Sequence, residues 1–231
     1  MQVDSSRIPH FLKFHFCFSL LLFGMFGLQA QDTSITSDSL TTPFREGRWL
    51  TGLSGSISSN TNKTDASEAK TVTNEFGLNF STGRFIKDRW LLGGKINADR
   101  ASSAGSVDRT TESLFIGPFV SHYLSANDRG SLFTTLSTGY VRYREETQLN
   151  TLLAPTELSS EGGGFGALVG LGYSYVIHDK IAFDIGFNLN LFWIGVDQEE
   201  LPSGMVSSQD LTVSNIAFTF GFNVLLDDFF F

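Results

Sequence analysis

Residues 181–193 read IAFDIGFNLNLFW. In an extended chain Ile181, Phe183, Ile185, Phe187, Leu189, Leu191 and Trp193 fall on one side, and Asp184, Gly186, Asn188 and Asn190 fall on the other, because successive strand side chains point to opposite faces. A helix would scatter the same residues around its axis. Period two held over thirteen residues predicts a long strand with one apolar face and one small, polar face.

The pattern recurs along the chain. Phe165, Ala167, Val169, Leu171, Tyr173, Tyr175 and Ile177 oppose Gly166, Gly170, Gly172 and Ser174, and Ile216, Phe218, Phe220, Phe222, Val224 and Leu226 oppose Ala217, Thr219, Gly221 and Asn223. Trp90 to Asp99 and Glu75 to Ser81 alternate likewise, with fainter strands at 49–57, 114–124 and 132–143, the last ambiguous between its faces. Eight strands result. Their connections alternate between short turns at 86–89, 125–130 and 178–180 and long polar stretches at 58–70, 100–109, 144–162 and 197–210. That rhythm predicts an all-β fold, an eight-stranded antiparallel up-and-down β-barrel with tight turns at one rim and long loops at the other.

Which face points outward decides the barrel's class. Gly47-Arg48-Trp49 matches the Gly-x-Trp that opens lipocalins, whose apolar face points inward. Phenylalanine-rich faces turned inward would overfill an eight-stranded barrel; turned outward they form a lipid-facing band, with Gly, Asn, Ser and Thr filling the lumen. Trp49, Phe85, Trp90, Tyr123, Phe133, Tyr175, Phe183 and Phe229 lie near the short-turn ends, and Tyr140, Tyr143, Phe165 and Trp193 near the long-loop ends. Two interfacial aromatic girdles are expected from this placement, and the barrel reads as transmembrane.

The N-terminus agrees. Arg7 and Lys13 precede an apolar run from Phe14 to Gly27 and the small-residue site Leu28-Gln29-Ala30, so residues 1–30 read as a cleaved secretory signal peptide. The apolar run is shorter than the roughly 20 residues of a spanning helix. Cleavage after Ala30 removes Cys17, the single cysteine, and with it any disulfide or thiol nucleophile. A net charge of −8 over the whole chain argues against a nucleic-acid partner. Residues 31–45, rich in Ser, Thr and Asp, read as a flexible periplasmic leader, and 46–231 as the barrel.

On these residues the chain from Glu46 to Phe231 resembles the small outer-membrane β-barrels of the OmpA/OmpX type. The resemblance implies residence in the outer membrane of a diderm bacterium, with membrane lipid and lipopolysaccharide as surroundings. It also implies that closing aromatics, here Phe229 and Phe231, form a signal read by the outer-membrane assembly machinery. Asp227-Asp228 interrupts the final alternation and marks a bulge or the strand's end.

Little points to catalysis. His122 and His178 both fall near the short-turn rim, whereas outer-membrane enzymes, by the same resemblance, carry their catalytic groups toward the exterior. Gly162, Gly164 and Ala167 match G-x-G-x-x-A, but a strand follows where the dinucleotide fingerprint needs a helix N-terminus. No cofactor is expected.

Four charged residues turn inward: Lys95 and Asp184 at similar depth on opposite walls, with Glu75 and Asp99 higher on adjacent strands. A Lys95–Asp184 ion pair closing the lumen is expected, since a buried charge left alone is destabilising. Asp197, Glu199, Glu200 and Asp210 occupy one long loop without a basic residue. They form a candidate weak site for a divalent cation, and Leu201 to Val206 a candidate apolar tip for a protein partner. The function expected is non-enzymatic, in envelope integrity or surface contact through acidic extracellular loops. A small-molecule conduit and a loop-borne enzyme are the alternatives.

Overall fold

The computed structural model describes residues 42–63, 70–104, 108–150, 155–201 and 203–227. The segment expected to be a signal peptide and most of the expected leader, together with Phe229 and Phe231, lie outside the described residues. Eight strands form: β1 Trp49–Lys63, β2 Lys70–Lys87, β3 Trp90–Ala104, β4 Asp108–Tyr123, β5 Gly130–Asn150, β6 Pro155–Ile177, β7 Ile181–Leu201 and β8 Met205–Leu226. Each pairs antiparallel with the next, and β8 returns to β1 to close the barrel. The expected fold class stands.

Alternation sets the walls. Leu53, Phe76, Leu78, Phe80, Leu92, Ile96, Phe165, Leu171, Phe187, Phe218 and Phe222 all point outward and are exposed. Tyr140, Phe165 and Trp193 are register neighbours on β5, β6 and β7, and the last two rings stack at 6.1 Å. Just above this girdle the outward residues become charged: Arg100 pairs with Glu112 at 3.6 Å, and Arg142 pairs with Glu161.

Two expectations about the lumen need correction. Phe85 and Tyr123 do not join an outer girdle; both are buried inside the barrel, as is Tyr143. Nor do small polar residues alone fill the interior. A lower apolar cluster gathers Phe44, Leu50, Phe85, Leu91, Phe119, Tyr123, Val176, Ala182 and Leu225, and an upper one gathers Phe115, Val141, Tyr143, Leu168, Phe192, Ile194 and Val196. β4 and β5 supply apolar residues to both faces, Leu114 and Ile116 outward against Phe115 and Phe119 inward, which is why their periodicity is faint.

The long connections also differ from expectation. β5 pairs with β6 as far as Asn150↔Pro155, and β7 with β8 as far as Glu200↔Met205. The polar stretches are therefore tall hairpins, since polar alternation hydrogen-bonds across strands as readily as apolar alternation does.

Close packing of β4 on β5 depends on a local exception. The ladder steps from Ile116↔Tyr140 to Phe119↔Ser137, skipping Pro118, which has no N–H to donate. Ser137 Oγ donates to the Pro118 carbonyl at 2.8 Å. The strands approach there over Gly117 and Gly139, where an added Cβ would fall 2.1 Å from Thr138 O and 2.2 Å from Ile116 O respectively. Gly139→Ala is accordingly expected to lower barrel stability by about 2 kcal/mol, the usual scale of overpacking. Gly94→Ala, whose methyl meets nothing within 4 Å, should leave it nearly unchanged, both read from denaturant unfolding in detergent.

Candidate functional site

At the short-turn mouth the end of the expected flexible leader is part of the barrel. Phe44 is completely buried and stacks on Tyr123 with ring centroids 4.0 Å apart. Arg48, 2% exposed, holds this plug. Its Nη1 donates to Pro43 O at 2.9 Å and to Asp179 Oδ1 at 2.9 Å, and its Nη2 donates to Asp179 O at 2.7 Å. His178 and Asp179 both take left-handed backbone, with φ of 52° and 58°, a conformation for which His and Asp are enriched. That turn presents both Asp179 oxygens to the guanidinium.

β8 ends at Leu226, so Asp227 marks the strand's end. Arg48 Nε lies 2.9 Å from Asp227 Oδ1, and Arg45 Nη2 donates to the same oxygen at 2.8 Å. One latch thus ties the N-terminal plug, the β6–β7 turn and the close of β8. Sequence reasoning missed it: Arg48 sits in a tripeptide that invites a family comparison, and Asp179 in a turn where a carboxylate is unremarkable.

Above the plug lies a cavity of about 80 Å³ lined by residues including Lys95, Asp184, Asn79, Ser81, Asn188 and Asn223. Lys95 and Asp184 both line it, but no ion pair joins them among the described residues. Asp184 Oδ2 instead accepts Asn223 Nδ2 at 2.6 Å. The open space between the walls leaves Asp184 to a partner on the neighbouring strand. Glu75 and Asp99 lie higher, on the adjacent strands β2 and β3.

The acidic outer residues are not brought together as one site. Asp197, Glu199 and Asp210 lie on the outward face of the β7–β8 hairpin, paired with Ser208, Val206 and Gly195, while Glu200 falls on the opposite face. Asp197 Oδ1 accepts the Ser208 hydroxyl at 2.6 Å. Among the described residues no three His, Cys, Asp or Glu are placed to hold a metal ion. Pairing of β7 with β8 imposes a two-residue period and splits the set between faces. As for the histidines, His122 stacks on Trp90 at 4.3 Å and His178 belongs to the β6–β7 turn.

No protein-family profile matches the chain, and no curated protein sequence matches it. Among solved structures, the barrel is similar to the outer membrane protein OprG from Pseudomonas aeruginosa, with a TM-score of 0.48, 14% identity, and coverage of 79% of this chain and 97% of that one. It is similar to a major outer membrane protein from Thermus thermophilus, with a TM-score of 0.49, 9% identity, and coverage of 78% and 99%. It is similar also to Ail, the attachment invasion locus protein of Yersinia pestis, with a TM-score of 0.42, 13% identity, and coverage of 78% and 99%. The likeness is one of fold alone.

Two outcomes follow from the latch and plug. Phe44→Ala is expected to cost about 3 kcal/mol of unfolding free energy, the range for emptying a buried aromatic site, measured by denaturant titration. The second concerns pH. The hydrogen bond from Arg45, with the Arg48 charge adding to it, holds the Asp227 carboxyl below its ordinary value of 3.8. A depressed folded value means the contribution is complete above the unfolded value and is lost as pH falls through the folded one. Asp227→Asn should therefore lower the melting temperature slightly at neutral pH and meet the parent curve only in strong acid.

Proposed function

We propose that the chain is an integral outer-membrane barrel that works non-enzymatically, in envelope integrity or surface contact, through its outer hairpins and not through its lumen. The observation that carries this reading is the closed lumen: buried aromatic clusters stand at two levels, with a cavity of only about 80 Å³ between them. A diffusive pore needs a continuous water column, and Phe44 and Phe115 each stand in its way.

The outer surface supports the membrane placement. From Ile181 to Trp193 the outward face of β7 stays apolar over twelve steps. That is about 28 Å of height at the ~3.3 Å rise and ~45° tilt usual for membrane strands, against an apolar band of about 25 Å in such barrels. Ion pairs at Arg100–Glu112 and Arg142–Glu161 mark its upper limit.

Beyond that limit the hairpins differ. The acids of β5 are compensated, Glu145 by Arg109 at 3.2 Å and Glu146 by Arg144 at 2.7 Å, and Glu161 on β6 is paired with Arg142. On the β7–β8 hairpin Asp197, Glu199 and Asp210 have no ion-pair partner among the described residues, and Leu201, Met205 and Val206 stand exposed at its tip. An apolar tip with an uncompensated acidic rim suits contact with a protein partner whose surface is apolar and basic.

The reading is tested in two steps. Protein in an outer-membrane fraction should change gel mobility on boiling, as a folded barrel does, and the purified protein in planar bilayers should show no large, steady conductance. Stable porin-sized currents from the unmodified chain would overturn the closed-lumen reading.

A further inference from the structure

A relay of amides in the upper lumen has its orientation fixed by a carboxylate. Glu75 Oε1 accepts Asn215 Nδ2 at 2.6 Å, and an ionised carboxylate only accepts. Asn215 therefore turns its oxygen the other way, where Asn190 Nδ2 donates to it at 2.8 Å. With that donor used, Asn190 Oδ1 is left buried and without a hydrogen-bond partner, on a side chain only 4% exposed. Starting from Glu75, the relay delivers an acceptor into the lumen.

Asn190 lines a second, smaller cavity of about 10 Å³ together with Asp99, Asn79, Asn97 and Ser56. Asn79 Nδ2 is spent on Ser54 Oγ at 3.0 Å, so Asn79 Oδ1 is a second buried oxygen without a partner. Asn97 Nδ2 holds Asp99 Oδ2 at 2.6 Å and fixes that carboxylate in place. Gly77, opposite Asp99 in the β2–β3 ladder, makes room for it, since a Cβ there would lie 2.0 Å from Asp99 Oδ1. A buried polar atom without a partner carries the full cost of its lost hydration, so two such oxygens beside a carboxylate require an occupant.

Charge narrows the choice of occupant. The polar middle of the lumen contains three carboxylates, Glu75, Asp99 and Asp184, against the ammonium of Lys95, which lines the larger cavity and not the smaller one. The geometry points to a site for one small alkali cation of the Na⁺ kind in the smaller cavity, held by the Asp99 carboxylate and the side-chain oxygens of Asn79 and Asn190. The space matches one water-sized sphere. The donors are hard oxygens, and with one carboxylate among neutral amides they suit a monovalent ion better than Ca²⁺, which collects more ligands and more charge. A water molecule would satisfy both amides but leave the excess negative charge in place.

This inference concerns the lumen and holds or fails independently of what the outer hairpins do. The experiment uses the purified full-length mature barrel in detergent, melted in NaCl and in choline chloride at matched ionic strength. The midpoint is expected to climb with Na⁺ and not with choline, because an ion bound to the folded state alone stabilises it by mass action. Asp99→Asn should abolish the climb, and Glu199→Gln on the outer hairpin should leave it intact. Crystals of the parent protein grown with Rb⁺ or Tl⁺ should show an anomalous peak between Asp99 and Asn190, a readout that stands even if Asp99→Asn fails to fold. Equal midpoints in the two salts together with no such peak would assign the cavity to water and overturn the proposal. So would a Na⁺ response that survives Asp99→Asn and disappears in Glu199→Gln.

Discussion

Closure of β8 onto β1 is the constraint on which everything else depends. The other seven pairings join neighbours in sequence, but this one joins Trp49–Ile57 to Phe218–Leu226 across most of the chain. Without it β1 and β8 would be open edges, each with a row of unpaired backbone groups, an arrangement that hydrocarbon surroundings do not tolerate. Loop closure over such a separation is entropically the most demanding step of the fold. The Arg48 latch lies at the foot of the same seam, where it joins Asp227 just beyond β8 to the segment leading into β1. Backbone closure and the buried guanidinium thus reinforce one another at the point where the chain has the most freedom to lose.

Once closed, so narrow a barrel has to be filled from within. The lumen does this in layers: an apolar plug around Phe44 and Tyr123, a polar middle containing Lys95 and Asp184, and an apolar cluster around Phe115 and Phe192. Apolar layers need no partners, so they seal. The polar middle needs partners for its donors and acceptors, and it passes amide hydrogen bonds from strand to strand, Asn223 to Asp184 and Asn190 to Asn215 to Glu75. Where that accounting leaves oxygens over, at Asn79 and Asn190, the structure has a chemical need that its own side chains do not meet.

The outer hairpins obey a different rule. Above the Tyr140–Phe165–Trp193 girdle the strands continue without a core on both sides. Cross-strand ion pairs take over on β4, β5 and β6, while β7 and β8 run on to an exposed Met205 and Val206. An uncompensated acidic hairpin with an apolar tip is a poor contributor to stability, an arrangement that fits the partner contact proposed for it.

The sequence by itself determined the strands, their number, the short turns and the direction of most faces, because a two-residue period is a local property that survives whatever the strand packs against. It determined that Lys95, Asp99, Glu75 and Asp184 face inward for the same reason. Tertiary structure alone decided which inward residues meet. Lys95 and Asp184 share a depth yet lie across an open cavity, a distance that alternation does not encode. Phe44 looked like part of a polar leader until the barrel mouth supplied Tyr123 to stack on, and Phe85, Tyr123 and Tyr143 read equally well as girdle or core until the wall around them closed. The acidic residues at 197–210 looked like one loop until β7 paired with β8 and sent Glu200 to the other face. In each case the missing information was a contact between residues far apart in sequence, fixed by the register of a closed sheet.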